Sequence, residues 1–366
     1  MWCLKRVLAA ALLAGLVAAC SPAPPAPPAP PAPPAAQAGP DAAAGRYLAR
    51  PGEAPVSVKV ATCALSGGFV HLYTAVETDV FAKYGLRVEH TLIRGSNAAL
   101  AALSVGEIQF LYCAADATMP GIASGSDVKV VAVPLVGQPY VLIARPDVRT
   151  LADLRGKAIG AGRPGGLPAR LTRLALERHG LRPGEDVDIR PTAGSQPENF
   201  QMLVAGIVQA TAITPPLDAQ ARREGLNVIY DMNDLGLPSI YSALHTSDAM
   251  IRSNPETVQR FVAAIAEVVR YTEQNPAVAR QVLQKTLELE DSDALDSAYQ
   301  AYAVKHVNRS LRVPYDAVAA ALDDLRDEGT QVMARGPDDV ATNQFADDLE
   351  RTGFLQELWG AALPAR

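Results

Sequence analysis

The sequence predicts an α/β protein of two lobes, each a mainly parallel sheet flanked by helices, with a helical C-terminal region. Three observations predict it. From Val56 to Tyr230, short β-branched runs alternate with helical stretches, and that alternation implies parallel pairing through right-handed crossovers. The runs fall into two groups on either side of the proline-bounded segment Pro134–Pro139. From Pro255 onward the pattern is almost entirely helical, opening on Ser253-Asn254-Pro255-Glu256 with proline at the first helical position.

The first group begins with a strand at Val56–Thr62. A helix over Leu72–Lys83 follows, stopped at Tyr84-Gly85. Leu86–Leu92 alternates as a strand, Ala98–Ser104 is helical, and Glu107–Tyr112 and Val128–Val133 are apolar strands. The second group runs through strands at Tyr140–Ala144, Ala158–Ala161, Val187–Arg190, Ala210–Ile213 and Val228–Tyr230. Between them lie a short helix at Leu151–Leu154 and a longer one at Ala169–His179, stopped by Gly180. Beyond Pro255, the residues Val258, Phe261, Val262, Ile265 and Val269 form one apolar stripe. These elements assign residues 56–138 and 240–366 to one lobe and 139–239 to the other. The crossings place a two-strand hinge near Gln138–Val141 and Ile240–Ala243. Ligands of open α/β sheets bind in the crevice at the carboxyl ends of the strands.

The N-terminus reads as an address label. Lys5 and Arg6 precede an apolar run, Val7–Ala19, of thirteen residues. About 20 residues are needed to span a bilayer, so residues 1–19 read as a secretory signal. Val17-Ala18-Ala19-Cys20 resembles the bacterial lipobox, in which cleavage precedes a cysteine that becomes acylated. The alternative is ordinary cleavage near Ala19. Residues 20–55 read as a tether. Ten prolines lie between Pro22 and Pro40, and residues 22–34 are a Pro/Ala repeat that favours extended polyproline II.

Composition excludes several function classes. Among 366 residues, 49 % are hydrophobic and 20 % charged, which supports a buried core and excludes global disorder. The net charge of −6 argues against nucleic acid. His71, His90, His179, His245 and His306 show no metal-ligand spacing. No Ser-His-Asp order with a supporting motif occurs. No metal, cofactor or catalytic residue is expected.

Several segments resemble one family. Ser66-Gly67-Gly68-Phe69 and Glu77–Val88 resemble its first-lobe stretch, and Thr150–Lys157 its DLKGK element. Val204–Ala210 resembles its L-x-x-G-x-V-D-A element, followed here by Pro215-Pro216. The family is that of the periplasmic solute-binding proteins of ABC importers for nitrate, taurine, aliphatic sulfonates and thiamine-pyrimidine precursors. The chain departs from it at Thr78-Asp79, where Gly-Leu is usual, and at Gln209, where Asp is usual. The resemblance implies the type II periplasmic-binding-protein fold, closing on a small molecule. It further implies ABC permease and ATPase partners, an envelope location with a lipid anchor at Cys20, and a monomer. Two other readings stand beside it. One is an enzyme on the same fold, of the pyrimidine- or menaquinone-precursor type. The other is a sensor or chaperone without an importer.

The candidate binding residues lie at the ends of the proposed strands. Ser66, Gly67, Gly68 and Phe69 open a helix whose free N–H groups suit an anion or a carbonyl; the alternative is a plain capped turn. Arg94 and Ser96 end the second strand, and Cys113 and Asp116 follow the third. Asp116 is read either as a helix-capping carboxylate or as the partner of a cationic or N–H-rich ligand. Gln138 and Tyr241 lie at the crossings. Gly160–Gly165 matches G-x-G-x-x-G, but Pro164 stiffens that loop and an export signal argues against a dinucleotide. In the resembled family this loop faces the ligand, which implies Arg163, Gly165, Gly166 and Leu167 as contacts. Gln196 and Thr214 end two further strands and complete the opposite wall. Cys63 and Cys113 end strands that would be neighbours in this topology, so either a disulfide or two buried thiols is expected. Only Trp359 remains after signal removal, so no tryptophan cage forms. The apolar and small loop residues favour a heterocyclic or moderately apolar ligand with a few polar contacts. A sulfonate or carboxylate is the second class.

Overall fold

A computed structural model describes residues 45–366, except 163–165, 193–195, 328, 335, 361, 362 and 364–366. The expected signal peptide, the acylated Cys20, the Pro/Ala repeat, Arg163 and Gly165 lie outside the described residues. No described helix is long and apolar enough to cross a membrane.

Ten strands run in chain order. They are β1 (Val56–Thr62), β2 (Leu86–Leu92), β3 (Phe110–Ala114), β4 (Val128–Val136), β5 (Val141–Ala144), β6 (Ala158–Gly160), β7 (Asp188–Arg190), β8 (Ala210–Ile213), β9 (Asn227–Asp231) and β10 (Ile240–Ser247). They form two five-stranded sheets, ordered β2-β1-β3-β10-β4 and β7-β6-β8-β5-β9. In the first, β1 pairs in parallel with β2 and β3, and β10 runs antiparallel to both β3 and β4. The second repeats the pattern, with β5 as the antiparallel strand between β8 and β9. The reversed strand in each sheet is the one that has just entered from the other sheet. It slots in without a helical crossover, so it runs against its neighbours. The interior strand β3 is almost wholly buried, whereas the edge strand β2 alternates; β4, at the other edge, is buried because residues 306–311 and 341–342 cover it.

The second crossing differs from expectation. The passages between sheets are residues 137–140 and 232–239. Ile240–Ala243, expected as hinge, already belongs to an eight-residue strand. The helix expected over Leu72–Lys83 is two helices, Val70–Glu77 and Val80–Lys83. Thr78 turns its hydroxyl back to the Thr74 carbonyl at 2.6 Å, and Asp79 takes a left-handed conformation (φ 53°). That conformation ends the first helix.

The end of the expected tether is also structured. Tyr47 is buried, with its ring edge-on to Phe354 at 5.2 Å. Its hydroxyl donates to Asp348 Oδ2 at 2.7 Å. Arg260 donates to both Glu53 carboxylate oxygens at 2.7 and 3.1 Å. One aromatic and one carboxylate therefore dock this segment, a signal hidden by the surrounding Pro/Ala composition.

The division of the C-terminal helices departs from a simple two-lobe split. Helix Pro255–Gln274 buries its expected stripe against the first sheet, with Phe110 stacked on Phe261 at 4.0 Å. Helices Tyr315–Asp327 and Gln344–Arg351 join the same core. Ala279, Leu283, Leu295, Ala298 and Tyr302 instead share a core with Leu142, Ile159, Leu171 and Ala210 of the second sheet and its helices. Residues 276–305 thus bridge the lobes rather than belonging to the first alone.

Gln209 has a structural task. Its Oε1 accepts from Ala158 N–H at 2.9 Å, and its Nε2 donates to the Gly206 carbonyl at 3.3 Å. Gln109 makes the corresponding bonds in the first lobe, to Lys59 N–H and the Gly106 carbonyl. A glutamine satisfies both backbone groups at once, which an aspartate cannot do.

Candidate binding cleft

The carboxyl ends of β1, β2, β3 and β8 converge on a cavity of about 970 Å³ between the lobes. Ser66, Gly67, Phe69, Arg94, Ser96 and Asp116 line it from the first lobe, and Gln196 and Thr214 from the second. Tyr140 and Tyr241, one beside each crossing, form the floor. Their rings meet edge-on at 6.3 Å. Residues 286–289 close one flank.

The Ser66 turn is built for close approach. The Ser66 hydroxyl oxygen accepts from Gly68 N–H at 3.2 Å and caps a 3-10 turn, Gly67–Phe69, that runs into helix Val70–Glu77. A Cβ on Gly67 would meet the Tyr302 ring at 2.6 Å, and one on Gly68 the Tyr241 ring at 2.5 Å. The two glycines therefore let the tyrosines pack directly against the turn. Tyr241 and Tyr302 stack with centroids 5.7 Å apart. Below the turn, Cys63 is bonded to Cys113, with Cα atoms 5.4 Å apart. The bridge ties the exit of β1 to β3 where the two strands pair.

Hydrogen-bond accounting shows which groups face the cavity uncommitted. Tyr302 donates its hydroxyl proton to the Pro215 carbonyl at 2.8 Å. Its oxygen lies 3.4 Å from the Tyr241 hydroxyl, a long contact. The Tyr140 hydroxyl has no hydrogen-bond partner among the described residues, although the residue is only 6 % exposed. Burial, and after it the Asp116 carboxylate, push the Tyr140 phenol well above its ordinary range. Burial raises Tyr241 too. Both phenols therefore stay O–H donors at neutral pH. Gln196 Oε1 accepts from Thr214 N–H at 2.7 Å and from its hydroxyl at 2.9 Å. That fixes the side-chain amide and leaves Nε2 as the group without a described partner. Arg94 is exposed and makes no ion pair among the described residues. Asp116 stands in the first turn of helix Ala115–Ala123, where the helix dipole favours its charge. Among the described residues, the cleft thus offers O–H and N–H donors on its floor and walls, the Arg94 guanidinium, the carboxylates of Asp116 and Glu288, and an apolar face from Phe69.

Five expected contacts lie elsewhere. Gly68 sits behind the turn against Tyr241. Cys113 is fully buried in the disulfide, and Cys63 lines the cavity instead. Gln138 is buried at the crossing, where its N–H donates to Asn233 Oδ1 at 3.0 Å. Leu167 lies further out beside Met119 and Pro120, and its neighbour Gly166 is not among the lining residues. His71 is fully buried without a hydrogen-bond partner among the described residues, and burial lowers its ring to a pKa of about 3. It takes no part in the cleft. Sequence reasoning missed Tyr140, Tyr302 and residues 286–289. Tyr140 follows Pro139 at the crossing, and that position could have marked it. The other two carry no local signal. No group of three or more His, Cys, Asp or Glu that could hold a metal occurs among the described residues.

Known proteins share this architecture. The Escherichia coli periplasmic aliphatic sulphonate binding protein SsuA is similar in structure, with TM-score 0.62 and 21 % identity over 78 % of this chain and 96 % of its own. The Xanthomonas axonopodis alkanesulfonate-binding protein SsuA bound to MOPS aligns with TM-score 0.61 and 18 % identity, over 79 % of this chain and all of its own (100 %). The periplasmic nitrate-binding protein NrtA of Synechocystis aligns with TM-score 0.62 and 16 % identity, over 86 % and 92 % of the two chains. In sequence, a Brucella abortus protein provisionally named a binding protein is 25 % identical over 224 residues, covering 60 % of this chain and 68 % of its own. YtlA of Bacillus subtilis, named in the same way, is 20 % identical over 264 residues, covering 69 % and 78 %. The NMT1/THI5-like family model matches residues 67–279. That match spans β2 to β10 and most of the cleft lining, and the chain belongs to the NMT1/THI5-like family.

Proposed function

We propose that this chain is an extracytoplasmic solute-binding protein. It captures a small organic ligand in the inter-lobe cleft and delivers it to an ABC permease and ATPase. The observation that carries the reading is the cavity itself. Its walls come from the carboxyl ends of strands in two sheets joined by two short crossings, the arrangement suited to closure around a ligand. The names of the relatives, all binding proteins, support binding rather than catalysis. The lipobox-like Val17–Cys20 supports anchoring through an acylated Cys20.

The ligand is a small molecule with hydrogen-bond acceptors for Tyr140, Tyr241 and the Ser66 turn, and an apolar face against Phe69. A heterocyclic or moderately apolar compound meets these demands, with Asp116 pairing an N–H or cationic group. A sulfonate or carboxylate held by Arg94 is the second class. The test is a thermal-shift panel of sulfonates including MOPS, nitrate, pyrimidines, aromatic acids and amines. A ligand at 100 times its dissociation constant stabilises by about 2.7 kcal/mol, which moves the midpoint by several degrees. A hit that is weakened by Asp116→Asn supports the first class. A hit weakened by Arg94→Ala alone supports the second. No shift with any compound, from a folded protein, argues against capture of these classes.

A further inference from the structure

We propose that Arg170 and Asp324 form a latch that holds the two lobes together at the mouth of the cleft. Arg170 stands on helix Leu167–Arg178, which packs into the second-lobe core through Leu171, Ala175 and Leu176. Asp324 stands on helix Tyr315–Asp327, which packs onto the first lobe through Val318, Leu322 and Leu325. Their charged groups meet at 2.7 Å. Among the described residues this is the one ion pair joining these two helices.

Its position is beside the cleft, on the flank opposite the bridging helices. Beneath the pair, Leu167 faces Met119 and Pro120 across a space of about 70 Å³. Asp116 lines both that space and the main cavity. Asp116 thus joins the main cavity to the small apolar space that Arg170 and Asp324 also line. The other flank is tied differently. There Tyr302 bonds Pro215 at 2.8 Å, Ser297 bonds Asp218 at 2.7 Å, and Lys305 pairs with Asp231 at 3.0 Å, all over a shared apolar core. A rotation about the crossings must break the Arg170–Asp324 contact while leaving the bridging side packed. Both side chains are about one-third exposed, at 29 % and 31 %, so water can take over each charge as the pair parts. Arg173 and Asp327 lie in the same groove with the same polarity across the gap. The lip therefore sets Arg170 and Arg173 of one lobe, with Glu177 beside them, against Asp324 and Asp327 of the other, and the net attraction is screened by salt.

The proposal rests on the two-lobed closure of the proposed function but needs no ligand, so the two can fail separately. The experiment uses the full chain with nitroxides on Ser104→Cys and Glu185→Cys, one per lobe and both exposed outside the groove, read by double electron–electron resonance. A sample lacking both cysteines supplies the background. The unmodified latch gives a predominantly short distance at low salt and a larger long-distance fraction in 1 M NaCl. Exposed pairs contribute little individually, so Asp324→Ala raises the long-to-short ratio about two- to fivefold. Arg170→Asp and Asp324→Arg each raise it further, and the double reversal restores the short distance. The latch is refuted by a ratio that ignores salt and both reversals. It is equally refuted by a double reversal that stays open with an unchanged melting temperature. The salt arm requires no substitution at the pair, so a variant that fails to fold does not shelter the idea.

Discussion

Gly68→Ala probes the packing beneath the cleft floor directly. Gly68 has no positive φ, so alanine meets no backbone penalty there. Its effect is one of space alone. The added Cβ would lie 2.5 Å from Tyr241 Cε1 and 3.2 Å from Cδ1. Tyr241 cannot swing aside freely. It is 8 % exposed, stacked on Tyr302 at 5.7 Å and edge-on to Tyr140 at 6.3 Å. Relief requires the ring or the Ser66 turn to move by about 1 Å. Overpacking of this kind costs about 1–3 kcal/mol, less the few tenths to 1 kcal/mol that alanine gains over glycine in helical backbone. The expected net loss is about 1–2 kcal/mol, read as a lower urea midpoint at unchanged slope. Tyr241→Ala should remove the clash, so Gly68→Ala on that background should be neutral or stabilising. Equal cost on both backgrounds, or no cost in either, would refute the close-approach reasoning.

Tyr140→Phe should leave stability within about 0.5 kcal/mol, because the hydroxyl has no hydrogen-bond partner among the described residues. The same change should weaken any panel compound that presents an acceptor to the floor, by about 0.5–1.5 kcal/mol in calorimetric titration. Cys63→Ser with Cys113→Ser opens a loop of 50 residues. Chain entropy assigns that about 4 kcal/mol, measurable as a lower denaturation midpoint than the oxidised chain. His71→Leu removes two buried, unpaired ring nitrogens and should stabilise by about 1 kcal/mol or more. Because burial lowers the folded-state pKa from 6.5 to about 3, the unfolded chain takes up this proton first. Stability therefore falls as pH drops from 6.5 towards 3, and the variant should lose that part of the acid slope in pH-dependent unfolding. Glu53→Gln acts lower on the scale. The Arg260 hydrogen bond lowers the Glu53 carboxyl from 4.5 to about 2, so its contribution is present above pH 4.5 and lost on acidification towards 2. The variant should be less stable at neutral pH and show a flatter limb in that window.

Legibility in the sequence follows how local each signal is. β1, β2 and β8 match their expected bounds residue for residue, because each is a short apolar or alternating run with sharp turn residues beside it. The buried stripe of helix Pro255–Gln274 was equally plain. The walls of the cleft could be named from Ser66, Arg94, Asp116, Gln196 and Thr214, since strand ends in this topology converge whatever their side chains. Three features depended on packing between distant segments. Tyr302 packs behind the Ser66 turn and Tyr241 from far beyond both sheets, and residues 286–289 reach the cavity from the bridging helices. Tyr47 docks on Phe354 across nearly the whole chain. β10 was hidden because Ile240–Ser247 carries Tyr, Ser, His and Thr among its apolar residues. All but the last are nevertheless buried, and His245 is satisfied by Thr118 and the Leu111 carbonyl at 3.0 Å each. Polar residues with partners of this kind do not show up in a hydropathy pattern.

Capture of a ligand in the inter-lobe cleft is most directly tested by titrating the first panel compound that shifts the melting curve into two proteins by calorimetry. One is the unaltered chain. The other carries Ser96→Trp, which fills the cavity from the start of helix Ser96–Ser104 without touching the core. One site per chain is expected, with binding lost in the tryptophan variant while its melting temperature is kept. Equal binding by both proteins would place the ligand elsewhere and contradict capture in the cleft.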